Sequence, residues 1–166
     1  MTRAQSSVFV ARGLYGGGYS PPRATKQLFE DVPLDRWYAP WVEALFEAGF
    51  TNGCSVAPRL FCPDQGHTRA EASVFFLRML NGPDYFPPTP QESFFADVPV
   101  DRWYAPWVQE AYRRELIPAC EAPPGSPTTT PQLFFCPDNP MTRAVGAYSM
   151  LQAKGGLPLV APGSIR

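Results

Sequence analysis

Four cysteines, one histidine and 15 acidic side chains are the groups in this 166-residue chain with the means to do chemistry. Cys54, Cys62, Cys120 and Cys136 offer either two disulfides or a thiolate metal site. Zinc is the weaker reading, because neither neighbouring pair has C-x-x-C spacing and His67 is the only imidazole available. One histidine in a loop before a helix cap supplies no Ser-His-Asp or Cys-His arrangement, and no glycine-rich phosphate loop is present. Two facing carboxylates would suffice for glycoside hydrolysis, but most acids here fall at helix caps or on helix faces that read as solvated. The chain is therefore read as non-catalytic, with no metal and no cofactor.

The elements that must position these groups come from composition and repetition. With 14 basic against 15 acidic residues, a net charge of −1 and no like-charge block, the footprint of a nucleic-acid binder is missing. No apolar run approaches the roughly 18 to 20 residues needed to cross a bilayer, so no membrane span is expected. The N-terminus also lacks the basic-then-apolar pattern of a signal peptide. The 21 prolines, with the pairs Pro21-Pro22, Pro87-Pro88 and Pro123-Pro124, accompany 4 tryptophans, 7 tyrosines and 12 phenylalanines. Disordered chains are poor in aromatics, so this mixture predicts folded units joined by stiff connectors.

A repeat fixes how those units are arranged. FEDVPLDRWYAPWVEALF at residues 29–46 returns as FADVPVDRWYAPWVQEAY at 95–112, and Asp35 to Val42 is identical to Asp101 to Val108. A second element, FCPDQGHTRAEASVFFLRM at 61–79, returns as FCPDNPMTRAVGAYSMLQA at 135–153, with the added residues lying between Cys120 and Cys136. The same element opens the chain, Thr2-Arg3-Ala4 answering Thr68-Arg69-Ala70, and Tyr19, Pro21 and Pro22 are answered by Tyr85, Pro87 and Pro88. The chain reads as two complete copies preceded by half of one. Met1 holds the place of His67 and Met141, which makes it an internal residue of a longer protein in this reading, with an export signal expected upstream.

Each copy reads as a pair of helices. Asp35 and Asp101 are expected to open the first, with Pro40 and Pro106 in its first turn. That helix runs to about Ala48, with Trp41, Leu45 and Ala48 as its buried stripe. Gly49 is a left-handed stop, whereas Glu115 predicts a different ending in the second copy. Thr68 opens the second helix in a Thr-x-x-Glu capping box with Glu71; Thr2 and Gln5 repeat it, and Thr142 with Val145 keeps half. Ala70, Val74, Leu77 and Met79, widened by Phe75 and Phe76, form the apolar face. An irregular loop or short strand around Leu60 to Pro63 joins the helices. The unpaired half copy at the N-terminus is expected to leave its apolar helix without a partner.

The cysteines occupy matching places in the two copies. Of the three possible connectivities, pairing within each copy, Cys54–Cys62 and Cys120–Cys136, is the economical one. Such bridges imply an oxidising, extracytoplasmic compartment.

The pattern FxDVPxDRWYAPWV, an apolar helix, FxPDxxxTRAE and a second apolar helix resembles the S-layer homology repeat over nearly the whole chain. The resemblance implies a mainly α fold of tandem repeats in a pseudo-threefold arrangement around a central bundle of first helices. It divides the chain into a half repeat at 1–22, complete repeats at 23–88 and 89–154, and a Pro/Gly-rich tail at 155–166 that would serve as adhesive strand or linker. The implied role is a non-catalytic surface module that anchors an exported protein to envelope or cell-wall polysaccharide through grooves between repeats. The alternative is a structural subunit of an extracellular filament, layer or complex, with other surface proteins or further copies of itself as partners.

Carried over by motif, Arg3, Arg69 and Arg143 of the three TRA segments are groove residues in this resemblance, followed by Trp37, Trp103, Asp31 and Asp97. Guanidinium forks suit carboxylates and aromatic faces suit sugar rings. Structural roles compete: the four tryptophans as core, Asp31 and Asp97 as turn residues bonding nearby backbone, and the arginines as ion-pair partners. Gly53-Cys54 and Ala119-Cys120 stand where the family has a glycine-tyrosine turn, in the loop that borders its groove.

Overall fold

Three threonines start three of the five helices in the computed structural model, which describes residues 1–122, 124–125 and 133–155. Helices α1 (Arg3–Tyr15), α3 (Arg69–Asn81) and α5 (Arg143–Ala153) are N-capped by Thr2, Thr68 and Thr142. The first two have full capping boxes, through Gln5 and Glu71, while Val145 leaves the third with the threonine half alone. Helices α2 (Ala39–Glu47) and α4 (Ala105–Arg113) begin with Pro40 and Pro106 in the first turn. Asp35 and Asp101 do not cap them, contrary to expectation. Consecutive turns, closed by Arg36 N–H to Pro33 and Ala39 N–H to Arg36, occupy that stretch, and the cap position falls on Tyr38. The buried residues of α2 are accordingly Ala39, Val42 and Leu45, with Trp41 and Ala48 only partly covered.

Gly49 ends α2 at φ +76° as expected, but Glu115 adopts the same left-handed geometry at φ +60°. Leu116 N–H donates to Ala111 carbonyl just as Phe50 N–H donates to Leu45 carbonyl. Leu116 is buried, so the closing bond and its burial offset the strain of a side chain at positive φ. Between α2 and α3 runs a small antiparallel hairpin, β1 (Ser55–Val56) with β2 (Arg59–Leu60), in register Ser55 with Leu60 and Val56 with Arg59.

Helix pairing crosses the sequence copies. Helix α1 packs on α2 and α3 on α4, while α1, α3 and α5 touch one another. The helices of one copy, α2 and α3, have no close backbone contact, although Leu45 and Phe75 line one small space between them; α2 instead folds back along α1. The mutually contacting helices are therefore the second ones, not the first as the resemblance implied. The N-terminal helix α1 is also not partnerless. At the point where the three TRA segments converge, the backbone closes a ring. His67 N–H donates to Met1 carbonyl (3.0 Å), Met141 N–H to His67 carbonyl (2.7 Å), and the Met1 ammonium to Met141 carbonyl (2.7 Å).

The core repeats with the sequence. Ala4, Phe29, Val32, Tyr38, Ala39, Val42 and Phe61 form one cluster, and Ala70, Phe95, Val98, Tyr104, Ala105, Val108 and Phe135 recur in another. One pair is exchanged in size: Ala11 with Leu45 in the first unit becomes Leu77 with Ala111 in the second, all four fully buried. Summed volume is kept, which close-packed interiors tolerate well.

Both disulfides pair as expected, Cys54–Cys62 and Cys120–Cys136, with Cα separations of 6.0 and 6.1 Å. They point to an oxidising, extracellular-type environment. Each closes a short loop and stabilises by roughly 2 to 3 kcal/mol on the chain-entropy estimate. Replacing either pair by serine is expected to lower the urea midpoint accordingly, and alkylation of the denatured, unreduced chain to leave its mass unchanged. Among the described residues no helix is long and apolar enough to cross a membrane.

Candidate functional site

The Phe-Cys-Pro-Asp loop of each unit is held from two sides by charged groups. Asp31 accepts the N–H groups of Phe61 (2.8 Å) and Cys62 (2.7 Å) on its two carboxylate oxygens. Arg3, arriving from α1, donates Nε–H to the carbonyl of Phe61 (2.8 Å), lies 5.2 Å from that ring's centroid, and pairs with Glu71. The second unit repeats this. Asp97 accepts from Phe135 (2.9 Å) and Cys136 (2.6 Å), and Arg69 donates Nε–H to Phe135 carbonyl (2.7 Å) and a terminal N–H to Pro118 carbonyl.

Arg3 and Arg69 are buried. Burial, opposed by Asp97, lowers the Arg69 pKa to about 10, so it stays charged at neutral pH. The aspartates bond backbone 30 to 39 residues away and not a nearby turn. Helix α1 or α3 thus carries an arginine into the following disulfide loop, and an aspartate from the segment before α2 or α4 holds that loop from the other side. Arg143 departs from this pattern: it is exposed and its side chain makes no hydrogen bond among the described residues.

The tryptophans divide into two kinds. Trp107 is buried and Trp41 partly covered, but Trp37 and Trp103 are 59% and 60% exposed, so the core role fails for them. Because α2 and α4 start only at Ala39 and Ala105, these two indoles sit in the preceding turn, and the next residue, Tyr38 or Tyr104, takes the core position. Each indole stands edge-on to that tyrosine at 5.4 Å between centroids.

Tyr38 also lines an open groove of about 430 Å³ with Asp31, Arg36, Cys62, Asp64 and Gln65, and with Pro33 and Pro63. Burial, and then Asp64, raise the Tyr38 pKa; burial and then Asp138 do the same for Tyr104. Both phenols remain protonated donors beside a carboxylate. The guanidinium, phenol and carboxylates lining this groove can exchange hydrogen bonds with hydroxyl or acid groups, and the exposed Trp37 indole, next in the chain to Tyr38 but not part of the lining, offers a face on which a ring can stack. Sequence reasoning missed Arg36, Tyr38 and Asp64, although they stand in the repeated DRWY and PD motifs. The Asp97 carboxylate approaches the sulfurs of Cys120 and Cys136, but both sulfurs are committed to their disulfide.

Neither a protein-family model nor a curated protein matches the chain.

Proposed function

We propose that this chain is a non-catalytic, cell-surface binding module built of S-layer-homology-like repeats in a pseudo-threefold arrangement, attaching an exported protein to envelope or cell-wall polysaccharide. The observation that carries the reading is the twice-repeated exposed indole. Trp37 and Trp103 lie at equivalent places and equally open to solvent, each braced by a tyrosine of the core. Beyond that edge contact, a large apolar face kept mostly in water at both copies of a repeat contributes little to packing. It suits a repetitive ligand whose units reach both sites, each weak contact multiplied through effective concentration. The two disulfides support an extracytoplasmic setting. The ring of Met1, His67 and Met141 supports the pseudo-threefold geometry.

Cosedimentation with purified envelope or wall polymer tests this. Trp37→Ala and Trp103→Ala should each weaken binding about tenfold or more, since losing one of two linked sites removes the avidity. Their unfolding free energies should stay within about 0.5 kcal/mol of wild type, as is usual for exposed positions. A wild-type chain that stays in the supernatant would sink the idea. The second reading, a structural subunit of a surface assembly, is favoured by the uncovered face of α5.

A further inference from the structure

The three TRA helices are copies of one another, yet only two of them are covered in full. In α1, Arg3, Ala4, Ser7 and Ala11 are all buried, and they lie on the side that receives α2 and its disulfide loop. In α3, Arg69, Ala70, Ser73 and Leu77 are likewise buried against α4 and its loop. The equivalent residues of α5, Arg143, Ala144, Ala147 and Leu151, are all exposed, Leu151 to 48%. Spacing of one, four and eight residues from Arg143 puts them on a single helix face. The opposite face of α5 is covered as in its siblings, with Gly146 buried where Ser6 and Ala72 are buried. The helix is seated correctly, and one surface of it lacks the element its copies hold.

We infer that this face of α5 is a docking surface for another polypeptide carrying a disulfide-closed element built like residues 23–66. The two filled interfaces define its chemistry. An apolar helix of the APWV type lies along Leu151 and Ala147, and a Phe-Cys loop presents the Phe carbonyl to the Arg143 guanidinium, with an aspartate holding the loop from behind. A second copy of this chain is a poor source, because its own elements are already seated on α1 and α3, and releasing one would uncover an equal face. This inference stands on the internal copies alone and does not rest on the polysaccharide reading.

The test uses the full chain extended after Arg166 by a copy of residues 23–66, and separately by a copy of residues 89–140, which supplies the element at high effective concentration. Amide exchange across α5 should slow at least tenfold in one extension or both. Arg143→Ala should abolish that protection while leaving exchange in the unextended chain unchanged. Unchanged α5 exchange in both extensions would overturn the proposal, as would protection indifferent to Arg143→Ala. A dimer of the unextended chain dispersed by Leu151→Arg would overturn it too, by making a second copy the occupant.

Discussion

Replacing His67 by methionine is expected to remove most of a steep loss of stability on the acid side. His67 is 2% exposed, neither ring nitrogen has a hydrogen-bond partner among the described residues, and its ring stands edge-on to Phe75 at 5.0 Å. Burial, then the Arg3 guanidinium and the Met1 ammonium, lower its pKa from 6.5 to about 3. Below pH 6.5 the unfolded chain takes up a proton that the folded chain refuses, so this contribution is complete above pH 6.5 and is lost as the pH falls towards 3. A shift of this size corresponds to about 4 to 5 kcal/mol across that window. Methionine already fills the equivalent ring positions, Met1 and Met141, so His67→Met should fold and cost under about 1.5 kcal/mol at pH 7.5, as volume-conserving swaps do. Urea unfolding at pH 7.5, 5.5 and 4 should show the wild type losing several kcal/mol more than the variant. Parallel pH dependences would show that the buried imidazole is not the cause.

The second large effect belongs to the loop clamps. Asp97→Ala leaves two backbone N–H groups, those of Phe135 and Cys136, without their acceptor, and Arg69→Ala leaves the carbonyls of Phe135 and Pro118 without their donor. Charged hydrogen bonds contribute about 1.5 to 3 kcal/mol each and stranded buried partners cost more, so each variant should lose roughly 3 to 5 kcal/mol. Lysine should not rescue Arg69, because an ammonium cannot reach two carbonyls as a planar fork does. The double variant should lose clearly less than the sum, since both groups hold the Phe135 peptide. Arg143→Ala, on the exposed third copy, should change stability by no more than about 0.5 kcal/mol. Equal costs at Arg69 and Arg143 would contradict the clamp.

Local chemistry was readable from the residues, and pairing across the chain was not. The threonine caps, both capping boxes, the Gly49 stop and the within-copy disulfides follow from short-range hydrogen bonding and matched spacing, and the fold is mainly α as the periodicity indicated. Which helix lies on which is a long-range matter. A repeat can be cut at any point, and the sequence does not distinguish α2 packed on α3 from α2 packed on α1. Helix onset misled in a traceable way: with Asp35 as cap, Trp37 and Trp41 would share a face, but two turns intervene and turn Trp37 outward. Glu115 shows tertiary burial overriding residue preference. For the TRA arginines, charge suggested a ligand, and burial against a carbonyl shows what two of the three guanidiniums hold. The tail residues 156–166, read as strand or linker, lie outside the described residues.

The proposed function turns on Trp37 and Trp103, both exposed, acting together on one polymeric ligand. Titrating purified wall polysaccharide into the chain while following intrinsic tryptophan emission addresses this directly, comparing wild type with Trp37→Ala, Trp103→Ala and the double variant. The expected result is a saturable change that weakens sharply in each single variant and vanishes in the double one, with unfolding midpoints unaltered. A change of undiminished amplitude and affinity in the double variant, or none in the wild type, would contradict it.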